Sequence, residues 1–126
     1  MGIILKPQKE FPHLQAFKDK FNVTKKTIFA WDNVIYCDYE LPNHLIIHER
    51  THHLQQNRDG LEKWLHNYLN DDEQRLKYEI EAYTQQIKVV SDKNAKTRLR
   101  YECAKNLASD LYGNIISFED ALIKIK

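Results

Sequence analysis

The pentapeptide His48-Glu49-Arg50-Thr51-His52 carries residue types that hold a metal ion and move a proton. It reads H-E-x-x-H and lies in a run of helical character, residues 43–57. On a helix, residues four apart share a face, so His48 and His52 point the same way about one turn apart. Two imidazoles so placed can share one zinc ion, each through a ring nitrogen. Glu49 is rotated about 100° from His48. From there its carboxylate can take a proton from a water on the metal without being a ligand itself. With six His and nine Glu in 126 residues, a chance H-E-x-x-H somewhere in the chain is roughly a 2 % event. The competing reading is a polar helix face that happens to carry histidines, and a third ligand from elsewhere separates the two.

A catalytic zinc usually has three protein ligands and one open position. The run at 71–90 offers two carboxylates in Lys77-Tyr78-Glu79-Ile80-Glu81-Ala82-Tyr83. Leu76, Ile80, Tyr83, Ile87 and Val90 recur at helical spacing and form its apolar stripe. Glu79 falls roughly 60° from the centre of that stripe and Glu81 roughly 140° away. Glu81 shares its face with Lys77, Thr84, Gln85 and Lys88, a solvated face, whereas Glu79 sits at the edge of the core. A carboxylate aimed at a core needs a cation, because an unpaired buried charge is expensive. Zinc is one such cation, and a Lys or Arg, for example Arg75 four residues earlier, is the alternative. Glu79 is the expected third ligand, with Glu81 as the alternative.

These motifs need elements to position them. Residues 3–6 read as a short strand ended by Pro7, and 13–21 as a helix with Leu14, Phe17 and Phe21 on one side. Residues 27–39 are rich in β-branched and aromatic types around Asp32-Asn33, the pattern of a tight β-hairpin. Asn43 is placed to cap the helix carrying the His pair, and Asp59-Gly60 closes it. A short helix over 61–69 follows, with Leu61, Trp64, Leu65 and Tyr68 on one side. Asn70 and Glu73 mark the start of the next, which runs to about Val90. Beyond Ser91-Asp92 another helix is expected to about Tyr112, its stripe being Leu99, Cys103, Leu107 and Leu111. Gly113 stops it, and Ser117 with Asp120 caps a last helix ending at Lys126. The order predicts a single α+β domain, residues 1–126, with a small sheet packed on the H-E-x-x-H helix and further helices after it.

The H-E-x-x-H motif with Gln55-Gln56 after it, joined to Tyr78-Glu79-Ile80-Glu81-Ala82-Tyr83, resembles a minimal gluzincin. Gluzincins are zincin metallopeptidases whose third zinc ligand is a Glu on a downstream helix, in several branches three residues before a small residue, as Glu79 stands before Ala82. Trp64, Tyr68 and Arg75 extend the likeness to small zincin-like proteins of phages and mobile elements. The resemblance spans roughly residues 27–86. It implies a zincin-like fold, a zinc cofactor, a peptide or protein substrate, His48, His52 and Glu79 as ligands, and Glu49 as general base. Two departures stand out. Tyr83 occupies the place where larger gluzincins often have an Asp bonded to a zinc His, and the chain is too short for a full second subdomain supplying an oxyanion donor. Tyr36, Tyr39 and Tyr83 are the candidates for that role, although phenols more often finish a core edge.

The remaining features point to ordinary duties. His44 shares the face of His48 but reads as a helix-start residue, since the metal needs an open position. His53 reads as a surface or packing residue, His13 and His66 have no visible partner, and Gln55 reads as a solvated side chain. Cys37 and Cys103 are far apart, lack zinc-knuckle spacing and suit free thiols in a core. A formal net charge of +1, with 29 % charged residues, creates no field favouring nucleic acid or acidic lipid. No membrane span or signal peptide is legible, and a cytoplasmic location is expected. The chain is long enough to bury a core unaided, so a metal here is expected to serve chemistry. The expected function is zinc-dependent peptide hydrolysis. The alternative is a non-enzymatic zincin-like module that binds a protein partner.

Overall fold

The computed structural model describes residues 3–126. Its sheet has three strands: β1 (Ile4–Lys6), β2 (Phe29–Trp31) and β3 (Val34–Tyr36). Their spatial order is β1-β3-β2, with β1 parallel to β3 and β2 antiparallel to it. The β2–β3 hairpin closes through Asp32 and Asn33 at φ 49° and 66°. Both are left-handed, as a two-residue turn with the strand's own twist requires, and Asp and Asn tolerate that region better than most residues. Trp31 pairs with Val34 and Ala30 with Ile35.

Six helices lie among the described residues: α1 (Leu14–Lys20), α2 (Asn43–Asp59), α3 (Leu61–Asn70), α4 (Asp72–Lys88), α5 (Lys93–Leu107) and α6 (Phe118–Lys124). The fold is thus α+β. Among the described residues no helix is long and apolar enough to cross a membrane. Gly60, at φ 92°, turns the chain sharply between α2 and α3 and donates its N–H to Gln56 O.

Several element ends differ from the sequence expectation, and the last helix stops at Lys124 rather than Lys126. Asn43 is the first helical residue of α2 rather than its cap; extended Pro42 precedes it and no side chain caps the helix. The cap of α4 is Asp71, not Asn70, because the Asp71 carboxylate accepts from the N–H groups of Glu73 and Gln74. Finally, α5 stops at Leu107 instead of running to Tyr112. Ser109 starts a separate 3-10 turn, Asp110–Tyr112, and Gly113 and Asn114 at positive φ end it. Leu111 therefore lies outside the α5 stripe, and the turn brings Tyr112 to the interior.

The core is aromatic. Phe11 stacks on Phe29 at 4.4 Å, and Phe17 sits edge-on to both. Trp64 stacks on Tyr68 and Tyr78 at 4.8 and 5.5 Å. The sheet and α3 both pack on α2, and they meet each other where Trp31 lies 6.3 Å from Trp64. Polar bonds then fix α2 against the hairpin. Gln56 donates to Ala30 O at 2.8 Å and accepts from Asp32 N at 3.1 Å, while His53 Nε2 meets Val34 O at 2.9 Å. The Gln56 amide thus takes the place of a neighbouring strand at one end of β2.

Candidate metal centre

Two helices with polar buried faces create the site. On α2 the buried residues are His48, Glu49, Thr51, His52, His53, Gln55 and Gln56, with no apolar residue among them. On α4 they are Arg75, Tyr78, Glu79, Ala82, Tyr83, Gln86 and Ile87. The inward face of α4 is therefore turned away from Leu76 and Ile80, and Glu79 lies within it rather than at its edge. Ala82, fully buried with 0 % exposure, leaves room for α2 to approach. Groups so buried must be hydrogen-bonded or paired with charge, and the network that satisfies them is the site.

His48, His52 and Glu79 each offer a ligating atom, and these atoms lie within 4.8 Å of one another. Nε2 of His48 is 3.1 Å from Glu79 Oε1, and Nε2 of His52 is 3.2 Å from Glu79 Oε2. The three residues are 4 %, 5 % and 1 % exposed, so water screens little of this interaction. Glu81, the alternative third ligand, is turned outward. It accepts from Gln55 at 2.8 Å and faces Arg58 at 3.4 Å. Nor does Arg75 neutralise Glu79: its guanidinium donates to Tyr112 O, Tyr68 O and the Asp72 carboxylate.

Two glutamines set which imidazole nitrogen faces Glu79. Gln55 Oε1 accepts from the Trp64 indole at 3.1 Å and lies 2.9 Å from His52 Nδ1. An indole N–H only donates, so the amide oxygen must face it. Its Nε2 donates to Tyr78 O and Glu81. His52 Nδ1 then carries the proton, which leaves Nε2 as the lone-pair nitrogen of the neutral ring. Gln86 Oε1 does the same for His48 Nδ1 at 2.9 Å, and Gln86 Nε2 donates to His44 Nδ1 at 2.9 Å. Glu79 is oriented from a third helix, where Tyr68 donates to its Oε2 at 2.5 Å.

Electron-pair donors aimed at one another need a positive charge between them, either a proton on an imidazole or a metal ion. Burial alone would lower the pKa of His52. The charge of Glu79 and the hydrogen bond to it outweigh burial and raise the value to about 9. Burial would likewise push Glu79 up, but the His52 charge and bonds from both imidazoles hold it well below the usual carboxylate range. The buried His-His-Glu group could hold a metal ion, and its atoms fit a divalent cation with nitrogen and carboxylate ligands.

Glu49 is buried beside the triad, its Oε2 3.9 Å from Nε2 of His48. Among the described residues no hydrogen bond engages its carboxylate. Burial raises its pKa; the two histidines oppose the shift and Glu79 adds to it. A cleft of about 260 Å³ opens over the triad and Glu49. Strand β2 walls it through Phe29 and Ala30, and Tyr83 and Tyr112 line it too.

Four participants escaped the sequence reading. Gln55 is not solvated but 0 % exposed, and its position three residues after His52 was the available signal. Gln86 stands seven residues after Glu79, on the same helix face, a spacing that could have marked it. Tyr68 belongs to the α3 stripe and to the wider likeness, neither of which marks it as a partner of Glu79, and Tyr112 lies beyond the end of α5 on the 3-10 turn. His44 and His53 also have specific partners, Gln86 and the Val34 carbonyl. Of the oxyanion candidates, Tyr36 packs against Phe11 and Tyr39 donates to Lys26 O, whereas Tyr83 faces the triad. Comparison of the chain with protein families, curated proteins and solved structures finds no match.

Proposed function

We propose that this chain is a zinc-dependent peptidase of the zincin type, with His48, His52 and Glu79 as metal ligands and Glu49 as general base. One observation carries the reading: a buried carboxylate without a protein hydrogen bond stands beside three converging ligand atoms. A structural metal has no use for such a neighbour, whereas hydrolysis needs a base there. Two imidazole nitrogens and a carboxylate suit zinc, and a bound zinc ion would polarise a carbonyl oxygen and acidify a water.

The chain's own groups supply the rest. Glu49 accepts the proton of the water that attacks the peptide carbonyl carbon, and then delivers it to the amine nitrogen as the C–N bond breaks. Burial raises its pKa above the usual carboxylate value, which makes it a stronger base. Gln55 and Gln86 keep both Nδ1 protons in place, and Tyr68 keeps Glu79 turned inward.

Strand β2 lies at a sheet edge. Trp31 and Val34 flank the turn and pair with each other, so the backbone groups of Ala30 point away from β3. Gln56 takes Ala30 O. By the period of two, the backbone groups of Ile28, which also lines the cleft, point the same way. An extended peptide would add to the edge there by main-chain bonds, with little dependence on its sequence.

The test is zinc content and cleavage of a peptide library, read by mass spectrometry, for the wild type and Glu49→Gln. The expected result is retained zinc and at least a ~100-fold loss of cleavage in the variant. Equal zinc with identical background in both proteins would exclude hydrolysis and leave a zincin-like module that binds a protein partner.

A further inference from the structure

A hydrolytic site also needs a donor for the oxygen that becomes negative as water adds to the carbonyl. The hydroxyls of Tyr83 and Tyr112 are 2.7 Å apart, and among the described residues neither has another hydrogen-bond partner. Each phenol brings one O–H. One proton joins the two oxygens and the other is left over. Both residues are buried, at 4 % and 9 % exposure, and both line the cleft with His48, Glu49 and Glu79. A buried hydroxyl proton without an acceptor costs about 1–3 kcal/mol, which calls for an acceptor in the cleft. Other phenols differ: Tyr68 donates to Glu79, Tyr78 to Asp59 and Tyr39 to Lys26 O.

The direction of the pair follows from position. Tyr83 is one turn after Glu79 on α4, and its ring sits 4.5 Å from that of His48, edge-on. Tyr112 comes from the 3-10 turn, where Arg75 holds its carbonyl at 3.0 Å, and no contact between its ring and an imidazole is found among the described residues. We infer that Tyr112 donates to the Tyr83 oxygen, and that Tyr83 directs its own proton into the cleft, to the oxygen of a substrate carbonyl as negative charge develops on it. Tyr83 is then a catalytic residue and Tyr112 a positioning residue. The phenol gives a hydrogen bond and keeps its proton; the water proton still travels through Glu49 to the leaving nitrogen. Burial first, and the nearby Glu79 charge second, raise both phenol pKa values well above 10.0, so both remain donors. Because α4 carries the ligand, the donor and the anchoring arginine, the group is rigid before substrate arrives.

The inference rests on the hydrolytic reading, yet a measurement without turnover tests it separately. The probe is an N-capped Phe-Leu phosphinic dipeptide, whose phosphorus bears two oxygens where the carbonyl would be. Its affinity for the zinc-loaded wild type, Tyr83→Phe, Tyr112→Phe and the double variant is measured by calorimetry, alongside zinc content and kcat and KM for any peptide cleaved. The expected result is a ~100-fold weaker phosphinate in Tyr83→Phe, about tenfold in Tyr112→Phe, and no further loss in the double variant, at unchanged zinc content. Any cleavage loses kcat in the same order with KM nearly constant. The inference is overturned if the wild type does not bind the phosphinate, if Tyr83→Phe binds within threefold of it, or if the two losses multiply. A Tyr83-dependent phosphinate affinity without cleavage of any peptide would uphold the donor and overturn the hydrolytic reading alone.

Discussion

Tyr68 donates its phenolic proton to Glu79 Oε2 at 2.5 Å, across from α3 to α4. The bond joins a residue of the aromatic core to the one carboxylate of the His-His-Glu group, so packing of α3 directly sets the orientation of a candidate ligand. Burial and the Glu79 charge keep the phenol protonated. Outer partners of this kind typically change metal affinity by about 10–100-fold. Tyr68→Phe, which keeps the ring stacked on Trp64, should weaken zinc binding by about that factor. Competition with a chromophoric chelator measures it, and an unchanged affinity would show that Glu79 needs no such support.

Gln55 and Gln86 separate two roles that are usually entangled. Gln55 engages His52, Trp64, Tyr78 O and Glu81, so Gln55→Leu orphans an indole N–H and a backbone carbonyl besides freeing His52. About 1–3 kcal/mol for each orphaned group predicts a stability loss of several kcal/mol in urea unfolding. Among the described residues the Gln86 amide hydrogen-bonds only to His48 and His44. Gln86→Leu should therefore lower zinc affinity about tenfold or more while costing less stability than Gln55→Leu. The reverse order of stabilities would contradict the hydrogen-bond assignments.

Arg75 is a clamp rather than a partner of Glu79. Its guanidinium donates to Tyr68 O at 2.6 Å and Tyr112 O at 3.0 Å and lies 4.9 Å over the Phe21 ring. Arg75→Met keeps the stem and removes the bonds to both carbonyls and to the exposed Asp72 carboxylate, leaving two carbonyls without their donors. A loss of about 2–4 kcal/mol in chemical denaturation is expected, together with freer Tyr112 resonances in NMR spectra. A loss below about 0.5 kcal/mol would mean that water replaces the clamp.

The site predicts opposite pH trends for metal and proton. The pKa of His52 is raised from 6.5 to about 9. Its contribution to the stability of metal-free protein is therefore complete below about pH 6.5 and declines as pH rises toward 9. Glu79 is depressed, so its contribution is present above its ordinary value of 4.5 and falls away as acid protonates it. Metal-free protein should be most stable between about pH 4.5 and 6.5. Zinc must displace the His52 proton, so zinc affinity should rise with pH up to about 9, roughly tenfold per unit while one proton is released. Thermal melts with chelator, and zinc titrations from pH 6 to 9, test the two trends. Parallel trends would contradict the shared site.

The α+β order and the approximate extent of most elements were legible because hairpin and helix chemistry is local. Asp32-Asn33 in the turn and Gly60 between helices did what their conformational preferences allow. The facing of α4 was legible only in part, because hydrophobic periodicity assumes an apolar interior. Here the interior of α2 and α4 is a hydrogen-bonded polar cluster, so Leu76 and Ile80 mark its flank. Spacing within one helix brought out His48, Glu49 and His52, and facing favoured Glu79 over Glu81. Tyr68 and Tyr112 were not legible as site residues, since they reach Glu79 and Tyr83 through tertiary packing that no sequence spacing encodes.

The central claim is that His48, His52 and Glu79 hold one zinc ion together. Its most direct measurement is the metal bound per chain after equilibration with zinc and removal of excess, in the wild type and in His48→Ala, His52→Ala, Glu79→Ala and Glu81→Ala. The wild type and Glu81→Ala should each hold about one zinc, and each of the other three should bind it at least ~100-fold more weakly. Stoichiometric zinc that survives both His48→Ala and Glu79→Ala, or wild-type protein that takes up none, would contradict that claim.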